Sequence, residues 1–187
     1  FATQPQSHTQ GFFAKKFQSY REELRIFSFL FTKFAQSLKL QMNNTNDKQV
    51  LLDSRYLRMA RIWAENSYCL RRQVGAIIVK DKMIISDGFN GTPSGFENIC
   101  EDENGNTKAY VLHAEANAIS KVAQSNNSSD GATLYVTTSP CIECSKLIIQ
   151  SGIKRVVYNE KYRITEGLDL LQRAGVECIQ ITDIDKQ

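Results

Sequence analysis

Histidine is nearly absent from this chain: His8 and His113 are the only two among 187 residues. Proline is almost as scarce, limited to Pro5, Pro93 and Pro140. No apolar run approaches the roughly 20 residues that a helical membrane span requires, so no membrane partner is expected. A basic surface is missing as well, although the net charge is +3. Residues 1–41 carry Lys15, Lys16, Arg21, Arg25, Lys33 and Lys39 against Glu22 and Glu23, which is +4 and leaves −1 for residues 42–187. A large nucleic-acid footprint is therefore excluded for the body of the chain. The five cysteines make an odd count, which speaks against a secreted disulfide scaffold and for a reducing, cytoplasmic compartment.

What is present, 42% hydrophobic and 23% charged residues, is the composition of an ordinary globular protein. The length fits one domain with an appendage. The division falls near residue 50. Residues 1–50 form an N-terminal extension that holds eight of the ten phenylalanines. Phe13, Phe17, Tyr20, Leu24, Phe27, Phe31, Phe34 and Leu38 recur at intervals of four and three, a helical stripe. Such a stripe would pack on a partner or on the body. Met42, ahead of a polar Asn-rich run, is alternatively a chain start, and a basic amphipathic targeting segment is a third reading, opposed by Glu22 and Glu23.

Residues 51–187 alternate helix and strand. Ser54 is an expected N-cap ahead of Tyr56, Leu57, Met59, Ala60 and Trp63 at helical spacing. Trp63 reads as core. Val74 to Val79 and Met83 to Phe89 read as strands around an Asp81-Lys82 turn. After a polar loop comes a helix carrying His113 and Glu115. Strands are expected over 132–137, 155–158 and 176–181, with helices over 141–150 and 165–174. This order predicts a three-layer α/β/α sandwich around a central mixed five-stranded sheet, with its site where helices start at strand ends.

The chemistry concentrates in His113-Ala-Glu115 and Pro140-Cys141-Ile-Glu-Cys144. H-x-E followed by P-C-x-x-C is the pattern of zinc deaminases. Zinc held by one imidazole and two thiolates keeps a fourth position open and makes water nucleophilic near neutral pH. Cys141 and Cys144, at i and i+3, share one helix face. Glu115 stands beside the metal without needing to bind it, which suits a proton shuttle between the water and the leaving amine. Glu143, between the two thiolates, belongs to solvent, and Cys178 to the core.

Residues 54–181 resemble the deoxycytidylate (dCMP) deaminases of the cytidine deaminase-like superfamily. Besides the metal pattern, the resemblance rests on Val74-Gly75-Ala76-Ile77-Ile78-Val79, on Gly88-Phe89-Asn90-Gly91-Thr92-Pro93-Ser94-Gly95 and on the stretch from Cys144 to Ile153. It implies hydrolysis of dCMP to dUMP and ammonia, one catalytic zinc, a homo-oligomer, and dCTP and dTTP as effectors. It further implies substrate contacts at Asn90 on the sugar, at the loop Gly91, Thr92 and Pro93 on the 5′-phosphate, and at Ala114 and Ser139. Arg71 falls at a phosphate-binding position, where a guanidinium can grip two oxygens. Its neighbour Arg72 is expected to be solvated. In some members Cys and His residues near this loop hold a second, structural zinc; Cys69 and Cys100 have no spare histidine nearby and are read as free buried thiols. The loop from Phe96 to Lys108 departs from the family pattern. Alternative deaminase substrates are tRNA adenosine, a nucleoside or base, and a riboflavin precursor.

Overall fold

The computed structural model describes residues 8–185. The chain divides into two units, Phe1–Gln49 and Val50–Gln187. In the first, the described backbone is helical from His8 onward. Phe31 and Phe34 are exposed there, whereas the side chains of Phe13, Phe17, Tyr20, Leu24, Phe27, Leu38 and Met42 lie outside the described residues.

The helix α1 runs without interruption over His8–Ala64. This corrects the expected start at Ser54. Between residues 12 and 74 there is neither glycine nor proline to break a helix. The Ser54 hydroxyl, instead of capping, donates to the Val50 carbonyl one turn back.

In the second unit, β1 (Gly75–Lys80), β2 (Met83–Phe89), β3 (Thr133–Thr138), β4 (Arg155–Glu160) and β5 (Glu177–Gln180) form one sheet in the order β2-β1-β3-β4-β5. β1 pairs antiparallel with β2 and β3, whereas β3, β4 and β5 are parallel, so the sheet is mixed as expected. Asp81 and Lys82 both have positive φ, 50° and 64°, which suits the two-residue turn between β1 and β2. The branched runs of β1, β3 and β4 are buried on both faces, and their alternation divides the core in two. Ile77, Val79, Tyr135 and Val157 pack on Tyr56, Leu57 and Ala60 of α1. Ala76, Ile78, Leu134, Val136 and Val156 pack on the other side, against the helices α2 (Ala114–Ala123), α3 (Ile142–Gln150) and α4 (Glu166–Arg173). The three-layer α/β/α sandwich is thereby built.

On the α1 side, the core contains a buried charge. Asp53, 1% exposed, accepts two hydrogen bonds from the Arg155 guanidinium at 2.9 and 2.6 Å and one from the Tyr135 hydroxyl at 2.7 Å. The network ties α1 to β3 and β4. Its hydrogen bonds to Asp53 hold the Arg155 guanidinium above its ordinary value, and burial followed by the Asp53 bond pushes the Tyr135 phenol up. Trp63, expected in the core, is 39% exposed because its indole N–H reaches Asp87 of β2 at 2.7 Å. Cys178 is half-buried against the core, and Glu143 is exposed, paired with Lys146.

Two glycines permit close approach at the helix starts. A Cβ on Gly88 would overlap the Ala114 carbonyl and lie 2.6 Å from the Ala118 nitrogen, so β2 could not meet the first turn of α2. One on Gly167 would press on Pro140 and Cys141 at the start of α3. Both contacts fix the helix ends from which the site is made.

Candidate active site

Cys141 follows β3 by two residues, Ser139 and Pro140, and occupies the N-cap of α3. His113 holds the same position on α2. Both residues are extended (ψ 171° and 156°), and neither side chain bonds its own helix, so thiol and imidazole are free to face each other. Cys144, one turn into α3, completes the group. The Sγ atoms of Cys141 and Cys144 each lie 3.4 Å from His113 Nδ1, and the three donor atoms are all within 4.8 Å of one another. Zinc–ligand distances with tetrahedral angles place a nitrogen and a sulfur donor about 3.5 Å apart. The donor set therefore fits zinc in identity and in spacing. Among the described residues it is the only group of three or more His, Cys, Asp or Glu side chains with this closeness.

The electrostatics agree. Hydrogen bonds from Cys144 and then His113 hold the Cys141 thiol down to about 3, a thiolate, while the shared hydrogen bond with Cys141 and burial push Cys144 up. The hydrogen bond to Cys141 raises His113. Glu115, 4% exposed at the first turn of α2, is pushed above the usual carboxylate range by burial. A carboxyl so placed takes and gives a proton more readily near neutral pH.

A cavity of about 610 Å³ opens beside these groups, with His113, Ala114, Glu115 and Cys141 in its wall. Of the other residues expected at the substrate, Arg71, Asn90 and Ser139 also line it. Gly91, Thr92 and Pro93 do not. Gly91 exchanges backbone hydrogen bonds with Leu112 at 3.1 and 2.8 Å, and the Thr92 hydroxyl donates to the Glu97 carbonyl within its own loop. Asn90 is engaged in the wall itself: its Oδ1 accepts the Val74 N–H at 2.7 Å and its Nδ2 donates to the Arg72 carbonyl at 2.8 Å. The Ser139 hydroxyl accepts the Tyr162 N–H at 2.8 Å.

Lys161, Tyr162 and Arg163, missed in the sequence, add to the wall, as do Glu101 and Thr107. The available signal for the first three was their position just past the carboxyl end of a parallel strand, where such sheets place ligands. Arg72 also lines the cavity, against expectation, with Nη1 3.3 Å from Thr138 Oγ1 and Nη2 3.7 Å from Glu160. Cys69 and Cys100 are joined as a disulfide, not free, with their Cα atoms 5.1 Å apart. Paired with each other, they offer no thiolates to a second zinc.

Sandwich, His113–Cys141–Cys144 group and buried glutamate together define a zinc-dependent deaminase with the cytidine deaminase-like fold. The model of the cytidine and deoxycytidylate deaminase zinc-binding region matches residues 51–160. The chain is 34% identical over 171 residues to the deoxycytidylate deaminase of Enterobacteria phage T4, covering 68% of this chain and 89% of that one. It is 35% identical over 140 residues to that of Saccharomyces cerevisiae, covering 70% of this chain but 45% of the yeast protein. The dCMP deaminase of cyanophage S-TIM5, solved with dCMP and dUMP, superposes with a TM-score of 0.66 at 50% identity, over 67% of this chain and 93% of that one. The chain belongs to the cytidine and deoxycytidylate deaminase family.

Proposed function

We propose that this chain hydrolyses dCMP to dUMP and ammonia, and so supplies dUMP for thymidylate synthesis. The observation that carries the reading is the close set of His113, Cys141 and Cys144 beside a buried Glu115 on a cavity rimmed by arginine and lysine. His113, Cys141 and Cys144 would hold zinc, which supplies the Lewis acidity that activates water. Glu115 would carry a proton from the attacking water to the departing amino nitrogen. Its burial shields the proton path from bulk solvent and raises the carboxyl above the usual carboxylate range. Ala114, beside the ligand His113, and Ser139, which holds the Tyr162 backbone, shape the base end of the pocket. Asn90 fixes the wall toward the sugar, with Gly91, Thr92 and Pro93 supporting it from the loop behind.

Arg71 meets the 5′-phosphate. Among the described residues no carboxylate forms an ion pair with its guanidinium. Arg71→Ala should raise KM for dCMP by an amount corresponding to about 1.5–3 kcal/mol of lost charge-assisted contact, with little change for deoxycytidine. Equal losses on both substrates would assign Arg71 a structural part instead.

The deaminase domain is assigned to residues 51–187 and an extension to 1–50, which agrees with a family match beginning at residue 51. Exposed Met59 and Ile62 on α1 support a homo-oligomer. Regulation by dCTP and dTTP belongs to the same reading through family resemblance. No helix among the described residues is long and apolar enough to cross a membrane. A cytoplasmic enzyme is proposed, supported by the free Cys141, Cys144 and Cys178; the Cys69–Cys100 disulfide gives this reading no support. A substrate panel of dCMP, dCTP, deoxycytidine, guanine and tRNA tests the proposal. dCMP should give the highest kcat/KM, and preference for another member of the panel would reject it.

A further inference from the structure

The stretch 69–72, between α1 and β1, is one wall of the cavity and carries both arginines, yet it belongs to no helix or strand. Its backbone must therefore find partners outside regular structure. The N–H groups of Leu70 and Arg71 both donate to one atom, Glu101 Oε1, at 3.0 and 3.2 Å. The Arg71 Nη1 donates to Thr107 Oγ1 at 3.3 Å. Glu101 and Thr107 face each other across an isolated antiparallel bridge. The turn between them is braced by Asp102, whose Oδ1 accepts the N–H groups of Asn104 and Asn106 at 2.9 and 2.8 Å. The disulfide Cys69–Cys100 stands next to Glu101 on one side and Leu70 on the other. The segment that departs from the family pattern is thus a small hairpin clasping the arginine arm.

We propose that Glu101 is a positioning residue for substrate binding: its carboxylate fixes the Leu70–Arg71 backbone so that the Arg71 guanidinium is presented to the 5′-phosphate. This inference rests on the dCMP reading above. The disulfide tethers the arm at one point, about which the following residues could still swing. Two successive N–H groups on one acceptor remove that freedom. The charge distribution matters too. Glu101 is engaged by backbone amides and makes no ion pair with Arg71, so the guanidinium keeps its charge for an anionic ligand, whereas Arg72 is already partnered by Glu160.

The test uses the 187-residue chain, zinc-loaded, with Glu101→Ala and Glu101→Gln, the amide side chain keeping an oxygen acceptor. Two measurements are made on each: kinetics with dCMP and deoxycytidine, and hydrogen exchange at Leu70 and Arg71 without substrate. Glu101→Ala should raise KM for dCMP about tenfold, the loss of roughly one charge-assisted contact, with kcat nearly unchanged. Deoxycytidine kinetics should not move, and exchange at both amides should accelerate. Glu101→Gln should restore most of both effects. Unchanged exchange in Glu101→Ala would overturn the proposal, as would kcat losses shared by both substrates. Melting temperatures of the two variants separate these outcomes from unfolding. If the wild-type protein leaves dCMP untouched, the functional reading fails, and the exchange data alone still decide whether Glu101 holds the arm.

Discussion

Glu115→Gln should lower kcat on dCMP by about 10²–10⁴-fold, the range for loss of a general acid–base group, while zinc content and melting temperature stay close to wild type. The substitution keeps size and hydrogen-bonding capacity but removes the titratable proton. Glu115 is buried at the first turn of α2, two residues from His113, and burial raises its pKa. The amide also relieves the desolvation of a carboxylate, so the variant should be no less stable. Steady-state rates with metal analysis on the same sample check this. An inactive variant that has also lost its zinc would make Glu115 part of the metal site instead of the proton path.

Asp53→Ala should destabilise the second unit by about 3–5 kcal/mol, because it leaves the mostly buried Arg155 guanidinium without its main counter-charge. The Tyr135 hydroxyl loses its acceptor in the same step. Glu177, 3.0 Å from Arg155 Nε, is itself largely exposed and can compensate only in part. Domain stabilities are about 5–15 kcal/mol, so such a loss should appear as a large fall in the urea midpoint. Asp53→Asn, which keeps an acceptor, should fall between the two. A change below about 1 kcal/mol in the alanine variant would mean that solvent or a neighbour replaces the carboxylate.

The sequence made the sheet legible where local chemistry dictates it. Ile77-Ile78-Val79 and Val156-Val157 are branched runs suited to strands buried on both faces, and Asp81-Lys82 is a two-residue turn whose flanks can only be a hairpin. The close set of His113, Cys141 and Cys144 was legible because metal ligation restricts residue type and spacing, and Glu115 because it stands two residues from His113. Less local features were not. Ser54 has the chemistry of an N-cap, but capping requires the helix to start there, and nothing upstream stops it. Cys69 and Cys100 are 31 residues apart, and only the return of the loop over the arm brings their Cα atoms together. Of the adjacent arginines, sequence offers no means to tell which faces the cavity; both do. Asn90 belongs to a motif that suggests ligand contact, yet its amide braces the neighbouring backbone, a role that appears only once residues 72–74 are placed beside it.

The central claim is that zinc on His113, Cys141 and Cys144 makes this chain a dCMP deaminase. The most direct measurement is a titration of chelator-stripped protein with zinc, following conversion of dCMP to dUMP. Activity should rise in proportion to added metal and break at about one zinc per chain, in keeping with a site of three protein ligands and one open position. Turnover that ignores zinc, or full zinc uptake without formation of dUMP, would contradict the account.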